Sequence, residues 1–309
     1  MMIAMMIAAA AATASPMTVP GPQGDLAGTF VDAGPNAPVV LIIPGSGPTD
    51  RDGNNPLGII AAPYRMLADA LAARGVSTLR ADKRGMFGSK AAIPDANAVT
   101  LADYATDAHE WAAALRKRTG ARCVWLLGHS EGGLISLVAA QDPRDLCGVI
   151  IVAGPGRKLG DTLRDQLRAN PANAPVLPQA MAALDSLEAG KPVDTTAMHP
   201  GLQALFNPKA QPYLMDMLRQ DPSKLAANIK LPMLIARGGK DIQVAAADAA
   251  GLHTARPDAE LLALPDMNHV LKDVTGDDRA SNIATYGDPS LPVDPSLVDG
   301  IAAFVKSRH

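Results

Sequence analysis

Six short apolar runs, at 39–43, 76–80, 124–127, 149–152, 233–236 and 261–264, alternate with stretches of helical spacing and constrain the fold more than any other feature. The first, VVLII, is bounded by Pro38 and Pro44. Such runs, rich in β-branched and other large aliphatic residues, read as strands buried on both faces. Helical patterns at 64–73, 101–118, 134–140, 245–253 and 297–306 fall between or after them, and an edge strand is expected at 28–32. This alternation predicts an α/β fold: a mostly parallel central sheet with helices on both faces.

The alternation fails once. From Arg157 to Ser223 there is no apolar strand run, only short amphipathic pieces separated by prolines such as Pro171, Pro178, Pro192 and Pro208. An insertion of this kind between core strands predicts a helical cap over the carboxyl edge of the sheet, where open α/β folds bind their ligands. The expected organisation is a core at 15–156 and 224–309 with a cap or lid at 157–223.

Composition narrows the partners. Lys and Arg number 28 against 31 Asp and Glu, for a net charge of -3, and no basic cluster appears. Nucleic acid is therefore not an expected partner, because phosphate neutralisation needs clustered cations. Charged residues make up 19% and hydrophobic residues 48% of the 309 positions, a balance that predicts a packed fold and not disorder.

Residues 1–14 (MMIAMMIAAAAATA) form an apolar stretch ending in a small-x-small triplet, Ala12-Thr13-Ala14. It is too short to span a bilayer, so no stable membrane insertion is expected, and it reads as a signal peptide. The mature chain would then be periplasmic or secreted, or cytoplasmic if the true start lies downstream. Cys123 and Cys147 each open an apolar strand run. Two buried thiols are the expectation, since free cysteine is commonly buried; a disulfide is the alternative if the strands are neighbours with suitable geometry.

The strongest chemical signal is VWLLGHSEGG at 124–133. It places Gly128-His129-Ser130-Glu131-Gly132, a G-x-S-x-G pentapeptide, between a strand and a helix, the context in which the turn exposes the serine side chain. No dinucleotide fingerprint, phosphate loop or metal-ligand motif accompanies it. The expected enzyme has no cofactor and no metal. Asp50, Asp52 and Asn54 copy the first ligands of a calcium loop, but Asn55 and Ala61 stand where that loop needs Gly and Glu.

On these residues the chain resembles the α/β-hydrolase superfamily from Gly28 to the C-terminus, and the run GSGPTDRDGN at 45–54 resembles that of one group of its bacterial serine esterases. The resemblance implies a catalytic triad in the order nucleophile, acid, histidine. It assigns Ser130 as nucleophile, Asp241 after the run 233–236, and His269 after the run 261–264. It also implies an oxyanion hole from the backbone of Glu131, next to the nucleophile, and of Ser46, with Gly47 second. The charges of the DRDGN run are expected to pair with one another or with Arg84 and so to fix the donor loop. Replacing Arg51 with Ala would then cost turnover more than stability.

The reaction implied is hydrolysis of carboxylic esters with short to medium chains through an acyl-enzyme. Two alternatives stand: a serine peptidase of the proline-iminopeptidase-like kind, for which Asp185, Glu188 and Asp216 of the insertion are candidate amine-binding carboxylates, and a non-catalytic binding module on the same scaffold. Phe206, Tyr213 and Met217 of the insertion, with Phe87, are the expected substrate contacts. With only four Phe, four Tyr and two Trp, few surfaces remain for stacking sugar rings, so a small aliphatic ester is the expected partner and not a carbohydrate polymer.

Overall fold

The computed structural model describes residues 13–308. The strands are β1 (Thr13–Pro20), β2 (Asp25–Asp32), β3 (Val39–Ile43), β4 (Ser77–Ala81), β5 (Val124–His129), β6 (Leu146–Val152), β7 (Met233–Gly238) and β8 (Glu260–Leu264). The helices of the first half are α1 (Pro63–Ala72), α2 (Leu101–Thr119) and α3 (Glu131–Ala139). Between β6 and β7 lie α4 (Leu159–Ala169), α5 (Leu177–Glu188), α6 (Pro200–Leu205), α7 (Gln211–Leu218) and α8 (Pro222–Asn228), and the chain ends with α9 (Ala246–Ala255), α10 (Arg279–Ala284) and α11 (Pro295–Lys306).

The eight strands form one sheet in the order β1-β2-β4-β3-β5-β6-β7-β8. From β4 to β8 every pairing is parallel, and β1 and β2 join antiparallel at one edge. Helices α2, α3, α8 and α9 cover one face and α1 and α11 the other, each face holding its own buried cluster. The fold is that of an α/β hydrolase. The five strands from β4 to β7 in the sheet are almost wholly buried because both faces are covered, polar Ser77, Thr78 and Arg80 of β4 included, whereas β8, at the edge, leaves Leu261 46% exposed.

Residues 1–12 of the expected leader lie outside the described residues. Its last two, Thr13 and Ala14, begin β1 and pair with Asp32 and Val31. The apolar-run criterion passed over β1 because Pro16 and Pro20 interrupt it, and proline is tolerated on an edge strand.

Four of the five helices between β6 and β7, α4 to α7, have a small core of their own, with Leu184, Leu187, Leu202 and Phe206 almost fully buried, while α8 packs on the sheet. Cys123 and Cys147 are joined in a disulfide with Cα atoms 5.1 Å apart, which corrects the expectation of two free thiols. The adjacency of β5 and β6 is what brings them together, at the opposite end of these strands from Ser130.

Candidate active site

The turn from β5 into α3 is tight enough to put Ser130 at φ 54° and ψ -122°, a strained conformation for a residue with a Cβ. Two glycines permit it. A Cβ on Gly128 would overlap the Gly132 carbonyl, and a Cβ on Gly132 would overlap the carbonyl of Ile43 in the neighbouring strand. Substitution at either position would push the serine away from β3. The G-x-S-x-G spacing is thus a packing requirement as well as a motif.

His269 follows β8 and Asp241 follows β7, both at the carboxyl edge. The Nδ1 of His269 lies 2.9 Å from Oδ2 of Asp241. The other carboxylate oxygen accepts from the backbone N–H groups of Gln243 at 2.7 Å and Val244 at 2.9 Å. Burial pushes the Asp241 pKa up, but His269 and these donors outweigh it and hold the carboxyl below its ordinary range. The acid is therefore ionised and fixed on His269. Ser130 and His269 line one cavity of about 100 Å³, with Gly45, Ser46, Tyr64 and Gln243 among its other walls.

Of the expected oxyanion residues, Ser46 borders this cavity, and Glu131 is the first residue of α3. Gly47 does not line it; its carbonyl accepts from the Thr49 N–H at 2.9 Å. The N–H of Gly45 is already committed, donating to the Tyr64 hydroxyl at 3.0 Å. The Ser46 N–H has no such partner among the hydrogen bonds of this loop.

None of the four expected substrate contacts lines the cavity. Phe206 is wholly buried in the small core of the insertion. Tyr213 donates its hydroxyl to Oε1 of Glu131 at 3.0 Å, and Met217 packs between the two cores. Phe87 is 45% exposed at the start of a short 3-10 turn. Apolar composition alone could not separate residues that build the insertion from residues that face a ligand. The walls instead include Thr49, Asn55, Ile59 and Gln243, of which the first three come from the loop after β3.

The DRDGN charges do not reach Arg84. Arg51 grips Asp82 through its backbone N–H at 2.8 Å and its guanidinium at 2.5 and 3.0 Å, and Asp52 pairs with Arg80. Arg84 turns instead to Asp103 and Asp107 on α2. Successive side chains after β4 diverge, so Lys83, between Asp82 and Arg84, points elsewhere. Its Nζ donates to the Gly45 carbonyl at 2.8 Å and to Oε1 of Glu131 at 3.0 Å.

His129, beside the nucleophile, is buried, its Nδ1 2.7 Å from the Tyr64 hydroxyl and its Nε2 2.8 Å from the His269 carbonyl oxygen. Burial, assisted by the nearby His269, pushes its pKa down to about 3, so it stays neutral. Asp248 of α9 is fully buried and spent on Gly156, Arg157 and Thr162 at the base of the insertion. Among the described residues no group of three or more His, Cys, Asp or Glu side chains converges as metal ligands would, and no helix is long and apolar enough to cross a membrane.

A family model described as "Serine aminopeptidase, S33" matches residues 60–272. The chain belongs to this family of hydrolases. Within the matched stretch fall Ser130, Asp241 and His269. Esterase EstD of Thermotoga maritima is 27% identical over 276 residues, an alignment covering 87% of this chain and 62% of the relative. The chain thus spans less than two thirds of that relative's length. Among solved structures, the α/β hydrolase GrgF from Penicillium sp. sh18 superposes with a TM-score of 0.62 at 19% identity, covering 96% of this chain and 99% of that one. The Pyrococcus furiosus esterase Pf2001 gives a TM-score of 0.61 at 14% identity, covering 96% and 92%. Both share the fold with this member of the serine aminopeptidase family.

Proposed function

We propose that this protein hydrolyses carboxylic esters with short acyl groups through an acyl-enzyme on Ser130. The observation that carries the reading is the alignment of His269 on Asp241 within a cavity that Ser130 also lines. Asp241 holds the proton on Nδ1, which leaves the lone pair on Nε2 to take the Ser130 proton as the hydroxyl attacks the ester carbonyl. The bond to the alkoxy group then breaks, and the protonated His269 returns the proton to the departing alcohol. Water repeats the cycle on the acyl-enzyme.

The oxyanion is assigned to the backbone N–H groups of Glu131 and Ser46. Glu131 stands at the N-terminus of α3, where the helix dipole also favours negative charge. Cavity walls rich in Thr49, Asn55 and Gln243 and a volume near 100 Å³ favour short acyl chains over long ones.

The family name raises peptidase chemistry, which needs an anionic group for a substrate's terminal amine. No Asp or Glu lines the cavity, among the described residues. Asp185 and Glu188 pair with Arg164, and Asp216 accepts from the Leu101 N–H, so the three candidate carboxylates are engaged elsewhere. Esters are therefore the preferred substrates. The disulfide favours an oxidising compartment, in keeping with an exported protein.

The test is a p-nitrophenyl series from acetate to decanoate beside amino-acid p-nitroanilides, with fluorophosphonate labelling of wild type and Ser130→Ala. Turnover should be highest for acetate to butyrate and labelling should vanish in Ser130→Ala. Faster anilide cleavage would make it a peptidase. Absence of both turnover and labelling would make it a binding module.

A further inference from the structure

The buried pair formed by Lys83 and Glu131 is not needed to form the triad, yet it sits where both proposed oxyanion donors are held. The carboxyl ends of β4, β3 and β5 lie side by side, and just beyond them come Lys83, Gly45 and Glu131 respectively. The Lys83 ammonium donates to the Gly45 carbonyl at 2.8 Å and to the Glu131 carboxylate at 3.0 Å. Gly45 carries the peptide into Ser46, and Glu131 carries its own N–H. One cation thus ties together the two loops from which the donors come.

Its surroundings fix it from both sides in sequence. Asp82 is clamped by Arg51 and Arg84 by Asp103 and Asp107. The Tyr104 ring lies 5.5 Å from the ammonium, and Tyr213 donates to the same Glu131 oxygen. Only 5% of the Lys83 side chain and 7% of the Glu131 side chain is exposed. Buried pairs of this kind cost desolvation and are often replaceable by apolar residues without loss of stability, so stability alone does not account for it.

Electrostatics gives the pair a second task. Glu131 puts a carboxylate one residue from the nucleophile, in a region where negative charge develops on the substrate. Left unpaired in a low-dielectric site, that carboxylate would oppose the oxyanion.

We infer that Lys83 is a positioning residue for ester hydrolysis: it aligns the Ser46 and Glu131 N–H groups and neutralises the Glu131 carboxylate beside the oxyanion. This rests on the serine-esterase reading. The experiment compares wild type, Lys83→Met, Glu131→Gln and the double variant on p-nitrophenyl acetate, with Tm recorded for each. Lys83→Met is expected to lose about 100-fold or more in kcat, the order seen when an oxyanion donor is lost, with KM within about threefold of wild type because ground-state binding is untouched. Adding Glu131→Gln to Lys83→Met should restore about tenfold of that loss, because it removes the opposing charge.

A folded Lys83→Met with kcat within threefold of wild type overturns the inference, as does a double variant slower than Lys83→Met. If Lys83→Met does not fold, the double variant decides by itself, since it holds no unpaired buried charge: a kcat at least tenfold below wild type with a normal KM is expected, and a wild-type kcat overturns the inference. A wild type inert toward all the esters overturns the esterase reading and this role with it. An active wild type with unimpaired variants overturns this role alone.

Discussion

The Nε2 of His129 donates to the carbonyl oxygen of His269 at 2.8 Å, so the Ser130 turn and the loop of His269 are tied by a single imidazole. A carbonyl can only accept, which puts the His129 proton on Nε2 and makes Nδ1 the acceptor of the Tyr64 hydroxyl at 2.7 Å. Tyr64 in turn accepts from the Gly45 N–H. The chain of donors runs in one direction, from the loop after β3 through Tyr64 and His129 to His269.

Tyr64→Phe breaks that chain at one atom. It leaves the buried Nδ1 of His129 and the Gly45 N–H without their partner, and about 1 to 3 kcal/mol of stability should be lost. The freed Gly45 peptide also loosens Ser46, so kcat should fall by roughly tenfold with little change in KM. Stopped-flow acylation with p-nitrophenyl acetate and a thermal melt check both; unchanged kcat would show that Tyr64 only packs.

Acid should destabilise the fold through two groups that refuse protons when folded. His129 has its pKa pushed down to about 3 by burial, against about 6.5 in an unfolded chain. Above the unfolded value it costs nothing. Below it, the unfolded chain gains a proton that the folded chain does not, and stability falls by up to about 1 kcal/mol per pH unit until the folded value is reached. Asp241, held below its ordinary range, adds a loss in the same direction as pH drops below about 4. Urea titrations between pH 8 and 4 should show this slope, and His129→Asn should flatten its upper part.

Reduction of the Cys123–Cys147 bond should lower stability by about 3 kcal/mol, the order expected for closing a loop with a sequence separation of 24. The bond joins the amino ends of β5 and β6, far along the strands from Ser130. Fully folded, reduced protein should therefore keep its kcat. A dithiothreitol titration followed by melt and by initial rate separates the two; a fall in rate before any fall in Tm would contradict it.

Arg51→Ala should cost stability and turnover together. Asp82 is 1% exposed and Arg51 supplies its counter-charge, so removing the guanidinium leaves a buried carboxylate with backbone donors only, at a cost of about 3 kcal/mol. The sequence-based expectation of a loss mainly in turnover took the DRDGN charges to pair with one another or with Arg84, whereas Arg51 is the counter-charge of Asp82 and Asp52 pairs with Arg80. Paired measurements of Tm and kcat check this, and a wild-type Tm would restore the earlier view.

The strand runs were legible because residues 39–43 and 124–127 are apolar on both faces, which only a covered parallel sheet demands. The positions of Ser130, Asp241 and His269 could be read from a motif and from the loops that follow strands. What could not be read was direction. Asp82, Lys83 and Arg84 are adjacent and all charged, and only the placement of their partners on the loop after β3, on α3 and on α2 decides that they reach three different places. Phe206 and Tyr213 do not line the cavity of Ser130 and His269 for the same reason: a residue in a helical insertion carries no mark of which side it faces. The disulfide needed strand order, which spacing does not encode.

Helix α7 is one of the ties that hold the insertion to the core. Asp216 accepts the first backbone N–H of α2 at 2.8 Å, a group that no helix can satisfy from within itself. Three residues earlier, Tyr213 stacks edge-on against Tyr104 of α2, ring centroids 5.7 Å apart. Displacing α7 would therefore leave the Leu101 N–H without its acceptor and separate an aromatic pair at the same stroke. Helix α4 is tied as well, through Thr162 to Asp248 and Gln166 to the Gln243 carbonyl, so an insertion that swung to admit substrate would have to break hydrogen bonds at both of its ends at once.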